Sequence, residues 1–249
     1  AGADLRSSPA RVDDDGRVRL SVATPEGGRT ERTETLRPFA WLTAEPATAT
    51  IGVALEKLGG EAPFAWLAHA ETLTAFEGFL KTTKPGGGVD AIRPLENQFL
   101  VQQRARLYRE LSFGQLRRCQ LDIETSSADG SFSDASRPDD RVLAIGLRSG
   151  GKNRLLLLEA VSDEAEKKLL EEFNATLAEI DPDAIEGHNI FKFDLDFLRQ
   201  RCRRFKIPCA WGRFGQKASF RNSRLKVAER WVDFPRCNLP GRAVIDTYL

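Results

Sequence analysis

Leu116-Arg117-Arg118-Cys119-Gln120-Leu121-Asp122-Ile123-Glu124-Thr125 reads as a β-strand that ends in two carboxylates. Side chains on a strand alternate faces with a period of two. Asp122 and Glu124 therefore share one face, and Leu121 and Ile123 the other. Acids side by side repel each other unless a cation sits between them. A divalent ion held by oxygen ligands removes that conflict. Taken alone, the tripeptide reads more readily as a solvated Asp-x-Glu at a strand end.

A second stretch lies downstream: Gly187-His188-Asn189-Ile190-Phe191-Lys192-Phe193-Asp194-Leu195-Asp196-Phe197-Leu198. Asp183-Ala184-Ile185-Glu186 before it reads as a short buried strand closed by Gly187. After it, Phe193, Phe197, Leu198, Cys202 and Phe205 recur at helical spacing. Asp194 thus falls at a helix N-terminus, where a carboxylate is favoured by the helix dipole and serves as a cap. Asn189 reads as a turn residue. Neither assignment explains an Asn five residues before an Asp with an aromatic just ahead of the Asp.

These two stretches resemble the first two proofreading motifs of the family B DNA polymerases. Gly241-Arg242-Ala243-Val244-Ile245-Asp246 resembles the Gly-Arg-x-x-x-Asp strand that follows them, and Asp181-Pro182-Asp183 also fits. The resemblance covers Leu100 to Leu249 well and the first hundred residues loosely. It implies an α/β (α+β) chain, with a ribonuclease H-like mixed-sheet 3′–5′ exonuclease domain over 116–249. A β-rich amino-terminal domain over 1–115 would precede it and lie against single-stranded template.

The order of elements agrees with that class. Strands are expected to Glu124, over Arg141–Leu147, over Asn153–Leu158 and over Ala184–Gly187. Ser127–Asp140 is a polar connection. A helix is expected from about Glu164 to Ile180, with Asp163 and Glu166 forming a capping-box pattern and Leu169, Leu170, Phe173, Leu177 and Ile180 its apolar stripe. Three strands followed by alternating helices imply a mixed sheet with helices on its faces. Earlier in the chain, strands are expected at Val18–Val22, Thr35–Thr43 and Phe64–His69, and helices over Ala47–Leu58 and Glu71–Thr82. Pro85–Gly88 is a loop, Gln98–Leu107 is expected to be extended, and Tyr108–Phe113 leads into the second domain.

By resemblance, the reaction is hydrolysis of the 3′-terminal phosphodiester of DNA at a two-metal site holding Mg2+ or Mn2+. Asp122 would bridge both ions, Glu124 would bind the ion that activates water, and Asp194 the second ion. Asn189 and Phe193 would position the frayed strand, with Thr125 among the DNA contacts. Asp196 is a decoy, expected in solvent or facing Arg199. Ser219–Val227 resembles a basic hairpin of the family, with Arg221, Arg224 and Lys226 as its DNA contacts. Expected partners are a single-stranded 3′ end, a primer–template and the remainder of a polymerase chain.

The family's fourth carboxylate and its Tyr, from a Tyr-x-x-x-Asp motif, do not occur within the 249 residues, nor do the palm motifs. The chain therefore reads as the amino-terminal piece of a longer polymerase, inactive by itself. Two alternatives are a stand-alone nuclease of the same superfamily and a non-catalytic DNA-binding module.

Composition agrees with this reading. The net charge of +1 conceals an asymmetry: Asp122–Glu186 holds 16 acids and 7 bases, whereas Arg199–Arg230 holds 11 bases and one acid. That pattern fits an acidic metal pocket beside a basic track for phosphates. No apolar run approaches the roughly 20 residues that span a bilayer. The start lacks the apolar core of a signal peptide. Cys119, Cys202, Cys209 and Cys237 show no zinc spacing and are expected to be reduced thiols in a cytoplasmic protein. The chain contains no Met.

Overall fold

The computed structural model describes residues 10–13, 15–24, 29–104 and 112–249. Chain contacts divide it into two compact units, one within Ser8–Arg109 and one within Glu110–Leu249.

The first unit holds strands β1 (Ala10–Val12), β2 (Arg17–Ala23), β3 (Arg29–Thr35), β4 (Phe39–Leu42), β5 (Val53–Lys57) and β6 (Trp66–Ala70). Helix α1 (Leu73–Thr83), strand β7 (Val89–Asp90) and helix α2 (Leu95–Gln102) follow. They form a three-stranded sheet β1-β2-β3 and a four-stranded sheet β5-β6-β4-β7. Two expectations fail here. The helix expected over Ala47–Leu58 is instead strand β5, paired with β6. Gly52 sits at φ +76°, and Val53 and Leu55 turn towards the core while Ala54 and Glu56 face out. Local alternation against a neighbouring strand outweighs the weak helical pattern. The extended segment expected from Gln98 is helix α2, which places Phe99 in a small core with Val18 and Leu36. The buried Gln98 side chain accepts from the Phe39 amide at 2.8 Å and donates to the Ile92 carbonyl at 3.1 Å. Residues 105–107 of that segment, and most of Tyr108–Phe113, lie outside the described residues.

The second unit holds β8 (Arg118–Thr125), β9 (Val142–Ser149), β10 (Lys152–Leu157), α3 (Asp163–Ile180), β11 (Ala184–Gly187), α4 (Asp194–Arg204), β12 (Ser219–Val227), β13 (Arg230–Asn238) and β14 (Ala243–Asp246). Its five-stranded sheet runs β10-β9-β8-β11-β14. The first three strands are antiparallel, and β11 is parallel to both β8 and β14. This is the mixed sheet expected of a ribonuclease H-like exonuclease domain. Leu121 and Ile123 enter a core shared with Leu169, Leu170, Phe173, Leu195 and Leu198 of the two helices. Asp122 and Glu124 are exposed on the opposite face.

The start of α3 departs from the capping-box expectation. Ser162 is the cap, accepting from the Ala165 amide at 3.1 Å. Glu166 is instead wholly buried, because Arg141 and Arg201 supply it with charge partners inside the core. The stretch Ser219–Val227 is not a whole hairpin but its first strand; the chain turns at Ala228-Glu229 and returns as β13. Asn222 and Ser223 pair with Pro235 and Phe234, and Ala228 supplies the turn with φ 52°.

Candidate active site

β8 is the middle strand of its sheet, so its carboxyl end carries Asp122 and Glu124 between β9 and β11. Gly187 ends β11 beside it. A Cβ on Gly187 would stand 2.7 Å from the Leu121 carbonyl oxygen and 3.0 Å from the Ile190 side chain. Only glycine lets the chain leave β11 so close to β8. The turn that follows is held by Asp246 at the end of β14. Its carboxylate accepts from the Asn189 amide at 2.9 Å, the Phe191 amide at 3.1 Å and the Tyr248 amide at 2.9 Å. Asp246 thus shapes the turn that carries Asn189.

The sequence shows Asp181-Pro182-Asp183 and Gly241-Arg242 as separate signals; the fold joins them. Arg242, buried, donates to Asp181 at 2.8 Å and to the Trp211 carbonyl at 3.0 Å. Arg213 donates to Asp183 at 2.6 Å, to Asp181 at 3.0 Å and to the Gly241 carbonyl at 2.8 Å. This clamp ties the ends of α3, β11 and β14 together and so fixes where Asp246 lies.

Asp194 is the first residue of α4, but it does not serve as a cap. The cap position is Phe193, with no side-chain bond. The Asp194 carboxylate, 1% exposed, reaches across to accept from the Ile123 amide at 3.1 Å. That amide lies between Asp122 and Glu124 in sequence. Burial pushes the Asp194 carboxyl up to about 6, and the neighbouring charges of Asp122 and Asp246 add to the rise. The fold therefore brings Asp194 to the Asp122–Glu124 strand end.

Among the described residues, no three His, Cys, Asp or Glu side chains converge closely enough to ligate an ion. The donors nevertheless suit a hard cation in their chemistry: all are carboxylates, one is buried without a countercharge, and two are exposed beside it.

Around the acids, Asn189 is half-buried at φ 59°, and its carboxamide hydrogen-bonds to no described residue. The Phe193 ring lies 5.7 Å from Phe197 and 5.5 Å from Phe132. Phe132, 79% exposed, was not singled out by its sequence. The available signal was a lone bulky aromatic within the polar Ser127–Asp140 connection. Thr125 is bonded to Ser133 of that same connection at 2.7 Å. Asp196 pairs with Arg199, as its helical spacing implies. A groove of about 540 Å3 runs along the exposed sheet face, lined by Arg118, Gln120, Asp122, Arg148, Glu186 and His188 among others.

The basic run Arg199–Arg230 is not one surface track. Arg201 and Arg213 are buried in ion networks, and Arg204 pairs with Asp163. Of the hairpin candidates, Arg224 and Lys226 share one face of β12, and Arg221 lies on the other.

The family model for "DNA polymerase family B, exonuclease domain" matches residues 95–249. The chain is 30% identical over 120 residues to a DNA polymerase of Archaeoglobus fulgidus, covering 48% of this chain and 14% of that protein. It is 32% identical over 107 residues to the DNA polymerase delta catalytic subunit of Bos taurus, covering 37% and 10% respectively. The chain thus spans about a seventh or less of these relatives. Its fold is similar to that of the family B DNA polymerase of Pyrobaculum calidifontis, with a TM-score of 0.65 and 18% identity over 96% of this chain and 36% of that one. No helix among the described residues is long and apolar enough to cross a membrane. On the family match, which takes in well over half the chain, this protein belongs to the family B DNA polymerases and carries their exonuclease domain.

Proposed function

We propose that the unit within Glu110–Leu249 is a 3′–5′ proofreading exonuclease that hydrolyses the terminal phosphodiester of DNA within a longer polymerase. The observation that carries this reading is the buried Asp194 carboxylate, bonded to the backbone between Asp122 and Glu124. Asp122, Glu124 and Asp194 would hold Mg2+ or Mn2+. When bound, such ions supply a water made nucleophilic near neutral pH and neutralise charge on the leaving oxygen.

The protein's own groups do the positioning. The Asn189 carboxamide, which bonds to no described residue, offers hydrogen bonds to the frayed terminal nucleotide. The Phe132 and Phe193 rings offer it a stacking surface that tolerates any base. Thr125, bonded to Ser133, braces the connection that carries Phe132. Arg221, Arg224 and Lys226 would meet phosphates of the same strand. The unit within Ser8–Arg109 corresponds to the amino-terminal domain of such a polymerase, and primer–template and the rest of the chain are its partners.

The site is incomplete without the Tyr-x-x-x-Asp carboxylate, because two-metal hydrolysis needs both ions and the water fixed together. A 3′-labelled oligonucleotide incubated with Mg2+ tests the reading. The 249-residue chain should release almost no nucleotide, and a polymerase that also contains Tyr-x-x-x-Asp should release it readily. Replacing Asp122 and Glu124 by Ala in the longer protein should abolish release with the fold intact. Release that persists in that variant would refute the assignment of the acids.

A further inference from the structure

We infer that Cys202 and Cys209 form a reversible redox site, at which a peroxide oxidises the Cys209 thiol and Cys202 closes it to a disulfide. The inference is independent of the exonuclease reading, since no acid of β8 takes part.

All four cysteines are free thiols, and three of them meet near the end of α4 remote from Asp194. Cys202, wholly buried, lies in the last turn of α4, and Cys237, 3% exposed, lies on β13. Cys209, half-buried, lies in the connector between α4 and β12 and packs against the same core. Backbone bonds set this convergence. The Ile207 amide donates to the Cys202 carbonyl at 2.8 Å, which folds the connector back onto the helix end. The Ala218 amide donates to the Cys209 carbonyl at 2.8 Å, and two residues on, Phe220 stands across the ladder from Cys237.

A buried cysteine is ordinarily an inert small hydrophobe. Two features set this pair apart. The Cys202 thiol donates to the Cys209 sulfur, so the two side chains already touch. A disulfide, with its sulfurs about 2 Å apart, needs only a short further approach. A cation also stands beside the pair. Arg199, three residues before Cys202 on α4, acts on both Cys209 and Cys237. Its guanidinium rests 4.8 Å from the Phe220 ring centroid and pairs with Asp196, while its Nε is buried with no hydrogen-bond partner among the described residues. Such a donor suits a thiolate or a sulfenate oxygen. The bond from Cys202 and the Arg199 charge lower the Cys209 thiol against the effect of burial. The same bond and burial raise Cys202, and burial raises Cys237. Cys209 is thus both the readier thiolate and the thiol that solvent reaches.

The chemistry balances with hydrogen peroxide as oxidant. The Cys209 thiolate attacks one peroxide oxygen: the S–O bond forms, the O–O bond breaks, and the leaving hydroxide takes up the Cys209 proton as water. The Cys202 sulfur then attacks the sulfenic sulfur: the S–S bond forms, the S–O bond breaks, and hydroxide leaves with the Cys202 proton as a second water. The two thiols lose two electrons and the peroxide gains them.

The test exposes the full 249-residue chain to hydrogen peroxide, blocks the remaining thiols with N-ethylmaleimide and maps the peptides without reduction. The wild type should lose two hydrogens, hold a Cys202–Cys209 link and regain both thiols in dithiothreitol. Cys237→Ala should form the same link. Cys202→Ala should form none and leave Cys209 as a sulfenic acid that dimedone traps, whereas Cys209→Ser should be neither linked nor trapped. Arg199→Gln should close the link several-fold more slowly, and Arg199→Lys, which keeps the charge, at close to the wild-type rate. An Arg199→Gln rate equal to that of the wild type would remove Arg199 from the site. Free thiols at Cys202 and Cys209 after peroxide, a link to Cys237 or between two chains, or a link that forms only when peroxide is added in urea would overturn the proposal.

Discussion

Two groups of charged residues in the second unit invite comparison, because both bury a carboxylate almost completely. Around Glu166, every charge is met. Arg201 donates to it from Nε at 2.7 Å and from Nη2 at 2.5 Å, Arg141 lies at 3.2 Å, and the Val142 amide adds a bond at 3.1 Å. Arg201 spends its remaining donors on the carbonyls of Ala135, Arg137 and Pro138. Around Asp194, by contrast, the neighbours are acids, and the carboxyl is pushed up to about 6. A buried charge whose partners are all supplied by the chain is scaffold. A buried carboxyl surrounded by its own sign is costly to ionise, and the proposed cation would relieve that cost.

The largest test breaks the first group. Arg201→Met should cost about 3–5 kcal/mol in urea unfolding, since it strands Glu166 in the core. Replacing both Arg201 and Glu166 by apolar residues of similar volume should recover most of that loss. A loss below 1 kcal/mol for the single variant would mean that the network is not the scaffold described.

The next test sharpens the second group. A carboxyl raised in the folded state binds more protons than the unfolded chain between about pH 4 and pH 6. Stability should therefore fall as pH rises through that window, and the penalty should be fully present above it. Asp194→Asn keeps the acceptor for the Ile123 amide and removes the charge. It should stabilise the chain at pH 7 by up to about 3 kcal/mol and flatten the pH profile between 4 and 6. Destabilisation at pH 7 would show that Asp194 is compensated after all.

The smallest effect is expected at the exposed acids. Asp122→Asn and Glu124→Gln should each change stability by no more than about 0.5 kcal/mol, as surface substitutions do. A loss of several kcal/mol would make them part of the scaffold.

Much of this was legible in the sequence, and the reasons are local. The alternation of Leu121, Asp122, Ile123 and Glu124 fixes which side chains enter the core, and the structure bears it out. The apolar stripe of α3 and the spacing of Asp196 and Arg199 are also one-dimensional signals. What escaped depends on distant partners. Glu166 looked like a capping residue because Arg201, 35 residues on, could not be seen to meet it. Arg201 and Arg213 looked like parts of a DNA track, although the fold buries both. Asp181 and Arg242 looked like separate motifs until β14 was seen beside β11. Phe132 was hidden in a polar loop, and Val53–Lys57 became a strand only because β6 lies next to it.

The central claim is that the acids at the end of β8, with Asp194, form a site for a divalent cation. Thermal unfolding of the 249-residue chain against increasing Mn2+ at pH 7.5 tests it most directly. A cation that binds the folded state alone, at about 100 times its Kd, should add about 2.7 kcal/mol. The account predicts a saturating rise in Tm for the wild type that shrinks at pH 5, where Asp194 holds a proton, and vanishes in Asp122→Asn/Glu124→Gln. A Tm indifferent to Mn2+, or one that rises equally in the double variant, would contradict it.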